Sequence, residues 1–276
     1  MSGLLVTIIN DCRDDDARVR QENRVAALLP DTRHISFCGV GSTLEAAGCL
    51  VDALDALLGA EAIVLVNVAP RNGEARQWAN GSPFGWTRVG RTLILGTVQG
   101  YTFSLLQKVL GEPLIINVFE FDAAVDALGL DPATAARVKT TQFRSYEFLP
   151  RVAAALVAGK EIPTAPFDDV PDPPDGIWFV DGFGNLKTTL LENHPSFCAD
   201  NLAHVSVSGD VETGGTVECD AICYHRLKDV PDGKLGIVVG SSGLGDRRFL
   251  ELVVQGGSAA RRFDIRHSGA RIHIEP

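Results

Sequence analysis

Ile162-Pro163-Thr164-Ala165-Pro166-Phe167-Asp168-Asp169-Val170-Pro171-Asp172-Pro173-Pro174-Asp175-Gly176 divides this chain of 276 residues. Five prolines and four aspartates crowd those positions. Proline fixes φ and carries no amide hydrogen, so neither a helix interior nor the middle of a sheet tolerates that density. The stretch reads as an extended linker. The chain then parses into an α/β domain over 1–161, a Pro/Asp-rich linker over 162–176 and an all-β domain over 177–276.

Before the linker, strands and helices alternate. Leu4 to Ile9 is a continuous apolar, β-branched run, the mark of a strand buried on both faces. Asp14 to Asp16 supply a cap and first-turn acids for a helix that Pro30 ends. A short strand near His34–Phe37 leads to a helix over Thr43–Leu58, where Leu44, Ala47, Leu50, Val51 and Leu54 recur at helical spacing before Gly59. Ala62–Val68, Arg91–Gly96 and Leu114–Phe119 read as buried strands, and Thr102–Leu110 and Glu147–Ala158 as helices. That order predicts a mostly parallel sheet with flanking helices. After the linker, Ile177–Val180, His204–Val207, Gly236–Val239, Leu250–Val254 and Arg271–Ile274 are short strand-like segments between Gly-rich turns. They predict a small barrel or sandwich.

Bulk properties narrow the function. The formal net charge of −10 argues against a nucleic-acid surface, which needs a basic stripe. No run reaches the apolar length of a membrane span. Met1-Ser2-Gly3-Leu4-Leu5-Val6 lacks the basic region and cleavage site of a signal peptide, so a cytoplasmic location with reduced thiols is expected. Cys219, Cys223 and His225 lack the two-residue cysteine gap and second pair of a zinc site, and they read as part of a half-buried strand. No metal is expected.

Several polar groups stand where predicted strands end. Asp11 follows the first buried strand, where ligands of open α/β sheets gather. There a carboxylate can accept two hydrogen bonds from a ribose diol; the plainer alternative is a helix cap or solvated loop acid. Asp181-Gly182-Phe183-Gly184-Asn185 offers a carboxylate, a flat aromatic face and an amide suited to a purine ring and a nearby ammonium group. Its plainer alternative is a glycine hairpin with Phe183 in the core. Gly240-Ser241-Ser242-Gly243 and Gln255-Gly256-Gly257-Ser258-Ala259-Ala260 offer hydroxyls and bare backbone N–H groups for a carboxylate or amide. P-loop, dinucleotide fingerprint and nucleophile elbow are absent.

This ordered set resembles the S-adenosylmethionine hydroxide adenosyltransferases and the related fluorinase and chlorinase. That family carries a Thr-Asp-Phe turn after its first strand, an Asp-His-Phe-Gly-Asn motif, a Gly-Ser-Ser-Gly segment and an Asn-Gly-Gly-Ser-Ala-Ala tail. The matching stretches here are Asn10-Asp11-Cys12, Asp181–Thr188, Gly240–Gly243 and Gln255–Ala260. The resemblance implies a homotrimer with the ligand between neighbouring subunits, and displacement of methionine from the ribose C5′ of S-adenosylmethionine by water or a small anion. S-adenosylmethionine is then substrate, and no separate cofactor is implied. By position, Asp11 holds the ribose hydroxyls, Asp181 the methionine ammonium, and Ser241 and Ser242 its carboxylate, while Phe183, Asn185 and Gly257 contact adenine. The family's activating aspartate is Ala69 here, its arginine is Arg76 and its histidine is Arg144, with Ser145 at the position of the halogenases' pocket serine. The family's Pro-Asn-Asn-Gly-like turn becomes Thr97-Val98-Gln99-Gly100, and Gly245-Asp246-Arg247-Arg248 is an insertion beside the methionine end. Arg76, Arg144 and Ser145 are therefore the expected catalytic group. A silent adenosyl-binding homologue, and an enzyme for another nucleoside-like substrate, are the alternatives.

Overall fold

A computed structural model of the chain describes residues 3–69, 81–209 and 215–276. They form two compact units, Met1–Gln107 with Gly111–Pro171, and Lys108–Leu110 with Asp172–Pro276.

The first unit is built on a seven-stranded mixed sheet. Its strands are β1 (Leu4–Asn10), β2 (Thr32–Gly39), β3 (Ala62–Asn67), β4 (Phe84–Val89), β5 (Thr92–Thr97), β6 (Ile116–Phe119) and β7 (Thr164–Phe167), in spatial order β2-β1-β3-β5-β4-β6-β7. β2, β1, β3 and β5 run parallel. β4 is antiparallel to both of its neighbours, and β7 is antiparallel to β6. Five of the seven strands thus point one way, and β4 and β7 run against them, so the sheet is mixed. The missed strand β4 is joined to β5 by the two-residue hairpin turn Gly90-Arg91, so no crossover helix marks it. β7 corrects the reading of 162–176 as an unpaired linker. It is an edge strand, and an edge accepts Pro166 because its missing N–H need not serve a further neighbour.

The helices are α1 (Asp15–Leu28), α2 (Thr43–Ala56), α3 (Ser104–Leu110), α4 (Phe121–Ala127), α5 (Pro132–Thr140), α6 (Arg144–Glu147) and α7 (Leu149–Val157). Asp14 caps α1 by accepting from the Ala17 amide, and Ser42 caps α2 by accepting from Glu45. One core joins Val25 of α1, Val125 of α4, Val138 of α5 and Val152 of α7 to Val6 and Ile8 of β1, Ile63 and Leu65 of β3 and Phe84 of β4. Ile9, Val64 and Val66 alternate with these and are buried as well, so the central strands are covered on both faces. No helix among the described residues is long and apolar enough to cross a membrane.

The second unit holds β8 (Ile177–Val180), β9 (Leu186–Leu191), β10 (Leu202–Ser208), β11 (Thr216–Tyr224), β12 (Leu235–Leu244), β13 (Arg247–Val254), the short helix α8 (Ala259–Arg262) and β14 (Arg271–Glu275). Its seven strands are ordered β14-β10-β11-β12-β13-β9-β8, with β11–β12 the parallel pair. The two ends of the sheet meet: the Ile177 amide donates to the Ala270 carbonyl over 2.8 Å, and Ile272 donates to Asp175 over 3.2 Å. The sheet is therefore nearly closed into a barrel. Ile177, Leu186, Val205, Ile237, Leu250 and Ile272 fill its core.

Candidate functional site

In the first unit, polar residues line the carboxyl ends of the parallel strands. β1 passes to β2 on one side through α1, and the chain then returns through α2 to β3 on the other side of β1. That reversal makes the β1/β3 border the switch point, where an open α/β sheet leaves a crevice. Asn10 and Asn67 are register partners at that border. Asn10 is 1% exposed, and its Oδ1 accepts from the Cys12 amide (2.9 Å) and the Asn67 side chain (3.1 Å). Its Nδ2 is buried without a hydrogen-bond partner among the described residues. Asp11 sits beside it, half-buried, with Oδ2 accepting from the Ala69 amide at 3.1 Å and Oδ1 3.5 Å from Asn67 Nδ2. The helix cap belongs to Asp14, so Asp11 is not the cap that the sequence left open.

Further along that end, Thr97 Oγ1 donates to the Val68 carbonyl (3.0 Å) and Ser82 Oγ to Gln99 Oε1 (2.9 Å). Arg144 closes the row by donating to the Ser82 carbonyl at 2.6 Å. Its guanidinium lies 5.4 Å from the Phe84 ring centre and 5.3 Å from that of Phe121, and the residue is 8% exposed. Burial lowers its pKa to about 10, so it stays cationic at neutral pH. No carboxylate pairs with it among the described residues.

Ser145 departs from Arg144. The two are adjacent on the single turn α6, and Ser145 Oγ accepts from Gln21 of α1 at 3.3 Å. Two further anchors fix that turn. Tyr146 lies under the guanidinium groups of Arg20 and Arg24, at 5.0 and 4.0 Å. Glu147 meets Arg24 at 2.9 Å, Arg151 at 3.3 Å and Arg137 at 3.7 Å. Burial pushes the Glu147 carboxyl up, but these arginines outweigh it and hold the group below its ordinary value. Arg76, the remaining expected catalytic residue, lies outside the described residues.

In the second unit the motifs come together as turns. Asp181 Oδ1 accepts from the amides of Phe183 (2.8 Å) and Asn185 (2.9 Å), and Oδ2 from the Asn185 side chain (2.9 Å). Asp181 thereby closes the β8–β9 hairpin on itself. Phe183 is 83% exposed at its tip, not the core residue of the plainer alternative. Gly184, at φ +84°, packs against Ser258, where a Cβ would collide, and its carbonyl accepts from the Ala260 amide at 2.8 Å. Ser258 in turn caps α8 through the Arg261 amide. Gly257 lies exposed in this second turn, its amide donating to Val254 at 2.9 Å.

Gly240–Gly243 does not end a strand, as its sequence implied. It lies within β12 at a register shift against β13. Neighbours on a strand face opposite sides. Ser241 is exposed, and its carbonyl accepts from Arg248 at 3.0 Å, while Ser242 is buried and takes a hydrogen bond from Lys187. Lys187 also lies 3.9 Å from Glu251, its register partner, and 5.5 Å from the Trp178 ring centre. The Gly245–Arg248 segment is the β12–β13 turn and the start of β13. Cys219 and Cys223 stand on β11. The Lys187–Glu251 pair and the Asn10–Asn67 pair were not singled out from the sequence. Their signals were there: a lone lysine inside Leu186–Leu191, a glutamate inside the apolar run 249–254, and an asparagine ending each of two apolar strands.

No family model and no curated protein matches the chain. Among solved structures it is similar to an uncharacterized conserved protein from Thermotoga maritima, with a TM-score of 0.70 at 18% identity over 98% of this chain and 99% of that one. It is also similar to a conserved hypothetical protein from Thermus thermophilus, with a TM-score of 0.58 at 19% identity over 98% and 99% of the two chains. At those identities the likeness concerns the fold.

Proposed function

We propose that the chain binds S-adenosylmethionine and cleaves its C5′–sulfonium bond with water or a small anion, as a homotrimer whose sites are shared between protomers. The observation that carries this reading is Asp11 at the β1/β3 switch point, its carboxylate supported by the Ala69 amide and by Asn67. Ribose hydroxyls are donors that a carboxylate accepts in pairs. The Asp181–Asn185 hairpin and the Gly257 turn supply the adenine and methionine contacts in this reading.

The chemistry asks little of a base. The nucleophile's lone pair forms the bond to C5′, and the C5′–S electrons return to sulfur, which leaves as neutral methionine thioether. A sulfonium leaves readily, so alignment and desolvation of the nucleophile carry most of the rate. With Ala69 and Arg144 at the activating positions, the family's carboxylate and imidazole are both replaced. Losing a general base costs a factor of roughly a hundred to ten thousand. A buried arginine without a carboxylate partner among the described residues favours an anionic nucleophile, which has no proton to lose.

The test is incubation of the protein with S-adenosylmethionine, alone and with halide, formate or phosphate, followed by chromatography. A 5′-substituted adenosine plus methionine supports anion transfer, and adenosine plus methionine supports hydrolysis. Binding without turnover leaves the silent homologue, and failure to bind any adenosyl compound points to another substrate. Arg144→Met keeps volume and removes the buried cation, and it leaves the Ser82 carbonyl without its donor at a cost of about 1–3 kcal/mol. Its anion-dependent rate should fall by about ten- to a hundredfold, given that a charge-assisted contact contributes about 1.5–3 kcal/mol.

A further inference from the structure

Cys38 lies near the end of β2 and Cys49 in the middle of α2, and their Sγ atoms are 3.6 Å apart. Both are half-buried, and none of the six cysteines is in a disulfide. A disulfide needs an approach of about 1.5 Å more, between elements that already pack together. The two thiols are unequally placed, Cys38 on the edge strand β2 and Cys49 in the middle of α2. The contact with Cys49 holds the Cys38 thiol below its ordinary value, against burial and the carboxylates Glu45 and Asp52. The same contact, with burial and those carboxylates, pushes the Cys49 thiol up. A thiolate, not a thiol, attacks an oxidant, and a neighbouring thiol then resolves the product.

We infer that Cys38 and Cys49 form a peroxide-reactive dithiol, with Cys38 attacking and Cys49 resolving to a disulfide that ties β2 to α2. The Cys38 thiolate attacks one oxygen of hydrogen peroxide and the O–O bond breaks. Cys38 becomes a sulfenic acid, and the departing hydroxide takes a proton to leave as water. Cys49 sulfur then attacks Cys38 sulfur, and its thiol proton leaves with the sulfenic hydroxyl as a second water. Two thiols are oxidised and one peroxide is reduced. The tie lies close to the candidate site, because Cys38 is the register partner of Ile9, two residues before Asp11.

Glu45 lies between the two cysteines, which makes the test direct. The full reduced chain is treated with hydrogen peroxide, blocked with an alkylating agent and cut with a glutamate-specific protease. The peptides carrying Cys38 and Cys49 should stay joined, two hydrogens lighter than their sum, until a reductant separates them. Both thiols alkylated, or Cys38 joined to another cysteine, would overturn the inference. The order is read in two variants with dimedone, which traps sulfenic acids. Cys49→Ser should accumulate the adduct on Cys38, and Cys38→Ser should leave Cys49 unmodified. An adduct on Cys49 in the second variant, or none in the first, would overturn the assigned roles.

Discussion

Asp11 and Asp181 are both aspartates that follow an apolar strand, yet the two units hold them by opposite means. Asp11 is held from far along the chain, by the Asn67 side chain and the Ala69 amide. Asp181 is held by its own hairpin, through three donors from Phe183 and Asn185. Some groups beyond the pair follow the same contrast, although Lys187 of the second unit also reaches far, to Ser242 and Glu251. In the first unit Arg144 reaches Ser82 and Glu147 reaches Arg24, across more than sixty and more than a hundred residues. In the second, Ser258 caps the next turn and Arg248 returns to Ser241. A group fixed by its own turn serves the fold first, whereas one fixed by distant elements marks a place that the whole sheet has assembled. The ligand role is therefore argued most strongly from Asp11, and Asp181 carries a structural role whatever else it does.

The largest effect expected from this contrast is on ligand binding. Asp11→Ala removes the acceptor for a ribose diol, and two charge-assisted hydrogen bonds contribute about 1.5–3 kcal/mol each. Affinity for S-adenosylmethionine should fall roughly a hundredfold or more, measured by calorimetry, beside a stability loss of about 1–2 kcal/mol from the Ala69 amide and Asn67 side chain that lose their acceptor. Equal affinity in the variant would remove the basis of the proposed function. Glu147 comes next and tests the long-range mode by stability. Its side chain is 11% exposed among three arginines, so Glu147→Gln should cost about 3 kcal/mol in denaturant unfolding. Its folded pKa lies below the ordinary carboxylate value of 4.5, because the arginines overcome burial. The unfolded chain then binds the proton more readily, so this stabilisation is complete above that ordinary value and fades as pH falls through the folded one. A wild-type acid limb that is unchanged in Glu147→Gln would show that the cluster contributes nothing.

The same contrast explains what could be read in advance. β1, α1, α2, β3 and β8 announced themselves because each is a single periodic or apolar run closed by a cap, proline or glycine. β4, α5 and β7 did not. Phe84–Val89 carries Gly85, Thr87 and Arg88 and owes its place to pairing with β5 and β6. α5 opens with Pro132 after the cap Asp131, a start signal on a helix of nine residues that no proline or glycine closes. Thr164–Phe167 is a strand because β6 offers it an edge, and proline density argued the other way. For the candidate site, Asp11 was legible as a strand-end carboxylate, but its Asn67 and Ala69 partners lie more than fifty residues away and only the sheet register joins them. The opposite facing of Ser241 and Ser242 was hidden because Gly240–Gly243 reads as a turn, whereas β12 continues through it.

Asp181→Ala sharpens the local side of the comparison. It removes the acceptor of two amides and one side-chain donor at a half-exposed hairpin. Water can replace part of that, so a loss of about 2 kcal/mol is expected, below the full cost of three buried orphans. Asp181→Asn keeps one acceptor oxygen and should recover about half, as seen in the midpoint of urea unfolding. A destabilisation under about 0.5 kcal/mol, combined with a large loss of S-adenosylmethionine binding, would reverse the assignment and make Asp181 chiefly a ligand group.

The smallest stability effect is expected at the tip of the same hairpin, where it separates fold from function most sharply. Phe183 is 83% exposed, so truncation removes little buried surface, and Phe183→Ala should change stability by less than about 0.5 kcal/mol. A ring left in solvent costs solubility unless something covers it, and a purine face is a suitable cover. Stacking of a base on an aromatic side chain contributes about 1–3 kcal/mol. Affinity for S-adenosylmethionine should therefore fall by about tenfold, and Phe183→Trp should retain it. If Phe183→Ala binds as the unaltered protein does, the ring does not contact adenine, and the second unit's share of the site rests on Asn185 and the Gly257 turn alone.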